Sequence, residues 1–179
     1  QTNYLKNAAL HLVDLKKTAP HIIDQSSFLI LLEALYHANK LPTLLSQFID
    51  KEIPSKYKTI DVYNILIKSY CQYDIDNVID IVIDKIMKKQ KVQATCKSYN
   101  LIINAHLKND NLKKEKQILK IVIKRKVNVD DFTFAPFLSY AKKSNDINLF
   151  NQYLNLFEQM NVPKTSFIKK LENQMLAKL

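Results

Sequence analysis

The 179 residues contain no glycine and no tryptophan, only two cysteines, and a single arginine, Arg125. Without glycine, a helix that must end in a left-handed residue is expected to use Asn or Asp, the side chains that best tolerate that backbone. Cys71 and Cys96 lack the spacing and the histidine company of a zinc site, and two cysteines make no disulfide framework. Both are expected to be small, buried or half-buried side chains. No apolar run reaches the roughly 18 residues needed to cross a bilayer, so no membrane insertion is expected. Carboxylates are scattered, and His11, His21, His37 and His106 fall at unrelated positions. No catalytic residue, metal site or cofactor is therefore expected, nor a small-molecule substrate.

What the chain does contain is repetition. Ser98-Tyr99-Asn100-Leu101-Ile102-Ile103 has relatives in Val62-Tyr63-Asn64-Ile65-Leu66-Ile67, Ser27-Phe28-Leu29-Ile30-Leu31-Leu32 and Thr133-Phe134-Ala135-Pro136-Phe137-Leu138. Their aromatics, Phe28, Tyr63, Tyr99 and Phe134, are separated by 35, 36 and 35 residues. A fixed period of this size marks stacked repeats, which bury apolar surface unit against unit. Eleven residues after each aromatic stands Asn39, Asp74, Asp110 or Asn145, a turn column expected to be left-handed.

Each repeat reads as two helices. Residues 1–24 form the second helix of a truncated unit, with apolar residues at helical spacing from Thr2 to Lys17; repeats follow at 25–59, 60–95, 96–130 and 131–164, and 165–179 is a single amphipathic helix, all in one solenoid domain. The half unit at each end predicts a piece of a longer array or ends covered by partners. Val78-Ile79-Asp80-Ile81-Val82-Ile83-Asp84 is β-branched enough for a strand, but Ile75, Val78, Ile79, Val82 and Ile86 keep the helical period, so a helix is expected.

The net charge of +10 is concentrated. From Lys85 to Lys126 there are 13 basic residues against Asp110 and Glu115, whereas the remainder is nearly balanced. Such a patch is the electrostatic footprint of a polyanion partner, or else a solvated helix face.

An aromatic followed by Asn at the start of the first helix, then Ile-Leu-Ile-x-x-Tyr or Leu-Ile-Ile-x-Ala-His, an Asn/Asp turn and a 35-residue period together resemble the pentatricopeptide repeat family. The tetratricopeptide family is the nearest rival, but it leans on Trp and Leu-Gly, which this chain lacks. The resemblance implies an all-α fold, a right-handed α-solenoid of antiparallel helix pairs. Its first helices would line a concave face, where side chains from each unit read one base of single-stranded RNA.

In that family the reading residues follow the aromatic and close the unit. Carried over, these are Asn100 with Asp130, which resembles a uridine reader, and Asn64 with Thr95, a weaker match. Leu29 with Thr59 and Ala135 with Lys164 depart from the pattern. The wedge between bases would be Asp61, Lys97 or Phe132, of which Phe132 is suited to stacking. Lys68, Lys97, Lys108, Lys142 and Lys143 are candidate phosphate contacts. Lys113, Lys114, Lys116, Lys120 and Lys124 lie on a second helix and form an outer basic face. The resemblance thus implies a non-enzymatic RNA-binding protein of an organelle, expected to be mitochondrial, acting in RNA processing, stability or translation. The alternatives are a structural protein of a ribonucleoprotein such as the mitochondrial ribosome, binding folded RNA or other proteins, and a protein-binding scaffold.

Overall fold

The computed structural model describes residues 7–8, 10–11, 14–15, 17–19, 22–109 and 111–177. The helix expected at Thr2–Lys17 falls largely outside the described residues, and the turn residue Asp110 and His21 fall outside them altogether. The chain divides into two compact units, Gln1–Ala94 and Thr95–Leu179. The first contains α1 (Gln25–His37), α2 (Pro42–Glu52), α3 (Ile60–Tyr73) and a π-helix (Ile79–Met87). The second contains α4 (Cys96–Lys108), α5 (Leu112–Lys124), α6 (Asp131–Lys143), α7 (Ile147–Gln159) and α8 (Ser166–Leu176). No strand occurs among the described residues.

Within each unit the first helices of successive repeats pack side by side, each except α8 backed by its own second helix. In the first unit α1 lies against α3, with α2 touching both and the π-helix against α3. In the second α4 lies against α6 and α6 against α8, with α5 on α4 and α7 on α6. The aromatic column sits where these layers meet: Phe28, Tyr63, Tyr99 and Phe134 are all buried. Phe134 stands edge-on to Phe157 with centroids 5.0 Å apart, and Phe28 meets Tyr57 at 5.7 Å. Truncating one of these rings to Ala removes about 3–5 kcal/mol of transfer and packing energy. The lone arginine is part of this packing, since Arg125 Nη1 donates to Tyr99 Oη at 2.9 Å.

Every first helix starts on a residue able to cap it: Asp24, Thr59, Thr95, Asp130 and Thr165 hold extended backbone just before α1, α3, α4, α6 and α8. Asp24 accepts from the Ser27 N–H at 2.9 Å, which holds its carboxyl below the usual range. The capping place before α8 is held by Thr165, 35 residues after Asp130 and one after the Lys164 at which the expected repeat ends. Lys164 is occupied by Glu158 at 2.7 Å and Glu172 at 3.3 Å.

The helix ends correct the expected turn column in part. Asn39 and Asn145 are left-handed, with φ of 52° and 55°. Asp74 has φ −152° and is not left-handed; its carboxylate turns into the following 3-10 turn (Ile75–Asn77) and accepts from Asn77 Nδ2 at 2.9 Å. A second left-handed column closes the second helices: Lys91, Lys126 and Asn161, again 35 apart. At the first two, paired backbone bonds run back over the last turn, Val92 N–H to the Met87 carbonyl and Val127 N–H to that of Val122, the arrangement that satisfies free carbonyls at a helix end.

The segment after Asp74 is helical, as its spacing predicts, but wound more loosely than the α-helical period implies. Buried Val78, Ile79, Val82, Ile83 and Met87 recur every four to five residues, the wider turn of a π-helix. The cause is one extra residue. From aromatic to left-handed helix end there are 28 positions in this repeat, Tyr63 to Lys91, and 27 in the next two, Tyr99 to Lys126 and Phe134 to Asn161. Widening the turn absorbs the insertion without displacing the apolar face.

Candidate nucleic-acid interface

The first helices of the second unit border a groove of about 570 Å³. α4 supplies Lys97, Asn100 and Asn104; α6 supplies Phe132 and Ser139; α8 supplies Phe167; and Asp130 lies at the start of α6. The groove therefore brings together Asn100, Asp130, Phe132 and Lys97. Its volume suits one nucleotide-sized ligand. Phe132 and Phe167 stand 35 residues apart on adjacent first helices and are 71% and 49% exposed, so both present ring surface for stacking. Phe167 is absent from the sequence-derived set, although stepping one period on from Phe132 finds it.

Asn100 and Asp130 are both tied into the scaffold. Asp130 caps α6, its Oδ1 accepting from the Thr133 N–H and Thr133 Oγ1, each at 3.1 Å. Asn100 is 9% exposed; its Nδ2 donates to Cys96 Sγ at 3.6 Å and its Oδ1 meets no protein donor. Cys96 is half-buried and free, as is Cys71, and burial pushes its thiol up from the ordinary value.

The other expected contacts are distributed differently. Asn64 is buried in α3 of the first unit, whereas Thr95 caps α4 in the second and its N–H donates to Ser98 Oγ at 3.2 Å, so the two belong to different units. Lys68 pairs with Glu33 at 2.9 Å, and Asp61 is exposed at the start of α3. Lys108 and Lys143 are exposed at the C-terminal ends of α4 and α6, and Lys142 donates to Gln174 of α8. On α5, Lys113, Lys116, Lys120 and Lys124 are exposed and Lys114 is half-buried. None of these five lines the groove. Among the described residues no cluster of His, Cys, Asp and Glu could hold a metal, and no helix is long and apolar enough to cross a membrane.

No protein-family model and no curated protein sequence matches the chain. Among solved structures it is similar to the pentatricopeptide repeat protein PPR10 from maize, with a TM-score of 0.58 at 12% identity. The likeness covers 95% of this chain and 24% of that protein, so the chain spans about a quarter of its length. At such low identity the likeness establishes the fold alone, the helical-repeat architecture.

Proposed function

We propose that this chain is an RNA-binding helical-repeat protein of the pentatricopeptide type that reads a single-stranded base without catalysis. The observation carrying this reading is the convergence of Asn100, Asp130, Phe132 and Lys97 on one groove. An amide and a carboxylate supply polar atoms for a base edge, an exposed ring supplies a stacking face, and a lysine supplies charge for phosphate. The resemblance further supports a role in mitochondrial RNA processing, stability or translation, alongside other proteins of a ribonucleoprotein. A structural role in such a particle, with folded RNA on the outer face, is the second reading. It is favoured by Lys113, Lys116, Lys120 and Lys124 of α5, which are exposed yet outside the groove.

Binding across a salt series separates the two. In the first reading, replacing Lys97, Lys108 and Lys142 by Gln weakens single-stranded oligonucleotide binding, and each lost phosphate contact lowers the salt slope by about 0.7. Replacing Lys113, Lys116 and Lys120 leaves it nearly unchanged. If the α5 set dominates and the wild type shows no base preference, the groove reading is wrong. The base readers are best tested with Asn100→Ala and Asp130→Asn, since Asn preserves the cap on α6 that Ala would remove.

A further inference from the structure

Asn104 and Ser139 line the groove but belong neither to the candidate base-reading pair nor to the stacking rings. They stand seven residues after Lys97 and Phe132 and four before Lys108 and Lys143, spacings that keep each set on one face of its helix. Asn104 also lies one turn, about 6 Å, beyond Asn100 along α4. Each row therefore begins beside the base-facing groups at the start of a first helix, passes through a neutral polar side chain, and reaches a lysine in the last turn. Base, sugar and phosphate follow in the same order along a nucleotide.

The middle place recurs through the chain at Glu33, Lys68, Asn104, Ser139 and Gln174, separated by 35, 36, 35 and 35 residues. Three of the five are committed to the protein itself: Glu33 and Lys68 pair at 2.9 Å, and Gln174 accepts from Lys142. Asn104 is exposed and Ser139 half-buried, and no hydrogen bond ties either side chain to another described residue. Both are neutral, so neither supplies the charge a phosphate calls for. Both combine a donor with an acceptor, the two functions that a hydroxyl group meets.

We infer that Asn104, with Ser139 on the adjacent helix, recognises the ribose 2′-hydroxyl, so that the groove selects RNA over DNA. The Asn104 carbonyl accepts the hydroxyl hydrogen, and an amide N–H or the Ser139 hydroxyl donates to its oxygen. Deoxyribose presents a C–H at that point, and the two side chains lose the partner for which they are displayed. This inference rests on the base-reading function proposed above.

The test uses the 179-residue chain as wild type, Asn104→Ala, Ser139→Ala and the double variant, with helicity recorded for each. Because Asn104 is exposed, its truncation leaves the fold intact. Binding of oligouridylate is compared with that of its 2′-deoxy and 2′-fluoro forms at equal length, and oligoadenylate reports base preference. The fluoro form keeps the ribose pucker and the phosphate charge but has no hydroxyl hydrogen to donate. The expected result is that the wild type binds oligouridylate about tenfold more tightly than either substituted form. The double variant then binds all three alike, at the level of the wild type with the deoxy form, and its preference between uridine and adenine is unchanged. If the folded variants keep the wild-type preference for the hydroxyl, or lose affinity for all three forms equally, the inference fails and the base-reading function stands. A wild type that prefers one base but binds the fluoro form as tightly as the ribo form reads sugar shape instead of the hydroxyl, with the same consequence. A wild type with no base preference overturns the base-reading proposal and this inference together.

Discussion

Tyr63 carries the aromatic column into the first unit at a cost in polar satisfaction. Its ring is fully buried, and its hydroxyl finds no protein partner. Burial, and then the charge of Asp50, pushes the phenol up to about 12. An unfolded tyrosine ionises near 10, so the native state holds this proton more tightly. The associated stability is complete below about pH 10 and is lost as pH rises toward 12. Tyr63→Phe removes both the unsatisfied donor and the titration. The expected outcome is a melting temperature at pH 7 equal to or above that of wild type, and an alkaline unfolding limb displaced upward, read by circular dichroism.

At the scale of elements, the ends of the second helices are where residue choice and backbone conflict. Lys126 has a φ of 52° although it carries a Cβ. Lys126→Gly relieves that crowding in the native state but loosens the unfolded chain, and the expected net gain is about 0.5–1 kcal/mol, measurable by denaturant melts. The π-helix makes a sharper prediction. If it exists to absorb one extra residue, deleting exposed Asp80 allows the segment to close into an α-helix with Met87 still buried, and helicity and melting are preserved. Deleting Lys120 from α5, which has no residue to spare, rotates the remainder of that helix off its apolar face and lowers the melting temperature sharply. The first-helix column was legible from the sequence because Phe, Tyr and Asn recur in register. The second left-handed column was hidden by side-chain identity, two lysines and an asparagine; its signal is the valine that follows each, Val92, Val127 and Val162, at the same period. The extra residue is present in the 36-residue spacing from Tyr63 to Tyr99, but only the positions of the helix ends locate it in the second helix.

Over the whole molecule, a repeat period translates sequence position into place, which is why the all-helical pairing is legible in the sequence, and why Lys97, Asn100, Asp130 and Phe132 could be grouped from it although Phe167 was not. The period carries no information on which side chains touch across neighbouring helices. The bonds linking Cys96, Thr133 and Asp130 arise from rotamers and capping, and the engagement of Arg125 with Tyr99 fixes the position of one cation in a patch that counts alone treat as uniform. The side-chain hydrogen bonds that join one first helix to the start or body of the next, among them Gln25 to Thr59, Lys68 to Glu33, Cys96 to Thr133 and Lys142 to Gln174, span 32 to 37 residues. Each closes a loop of nearly the same length, so the entropy lost on forming it is nearly the same for each. The barrier to folding is then set by one such closure instead of by chain length, and a chain lengthened by further repeats of this kind would refold no more slowly than this one.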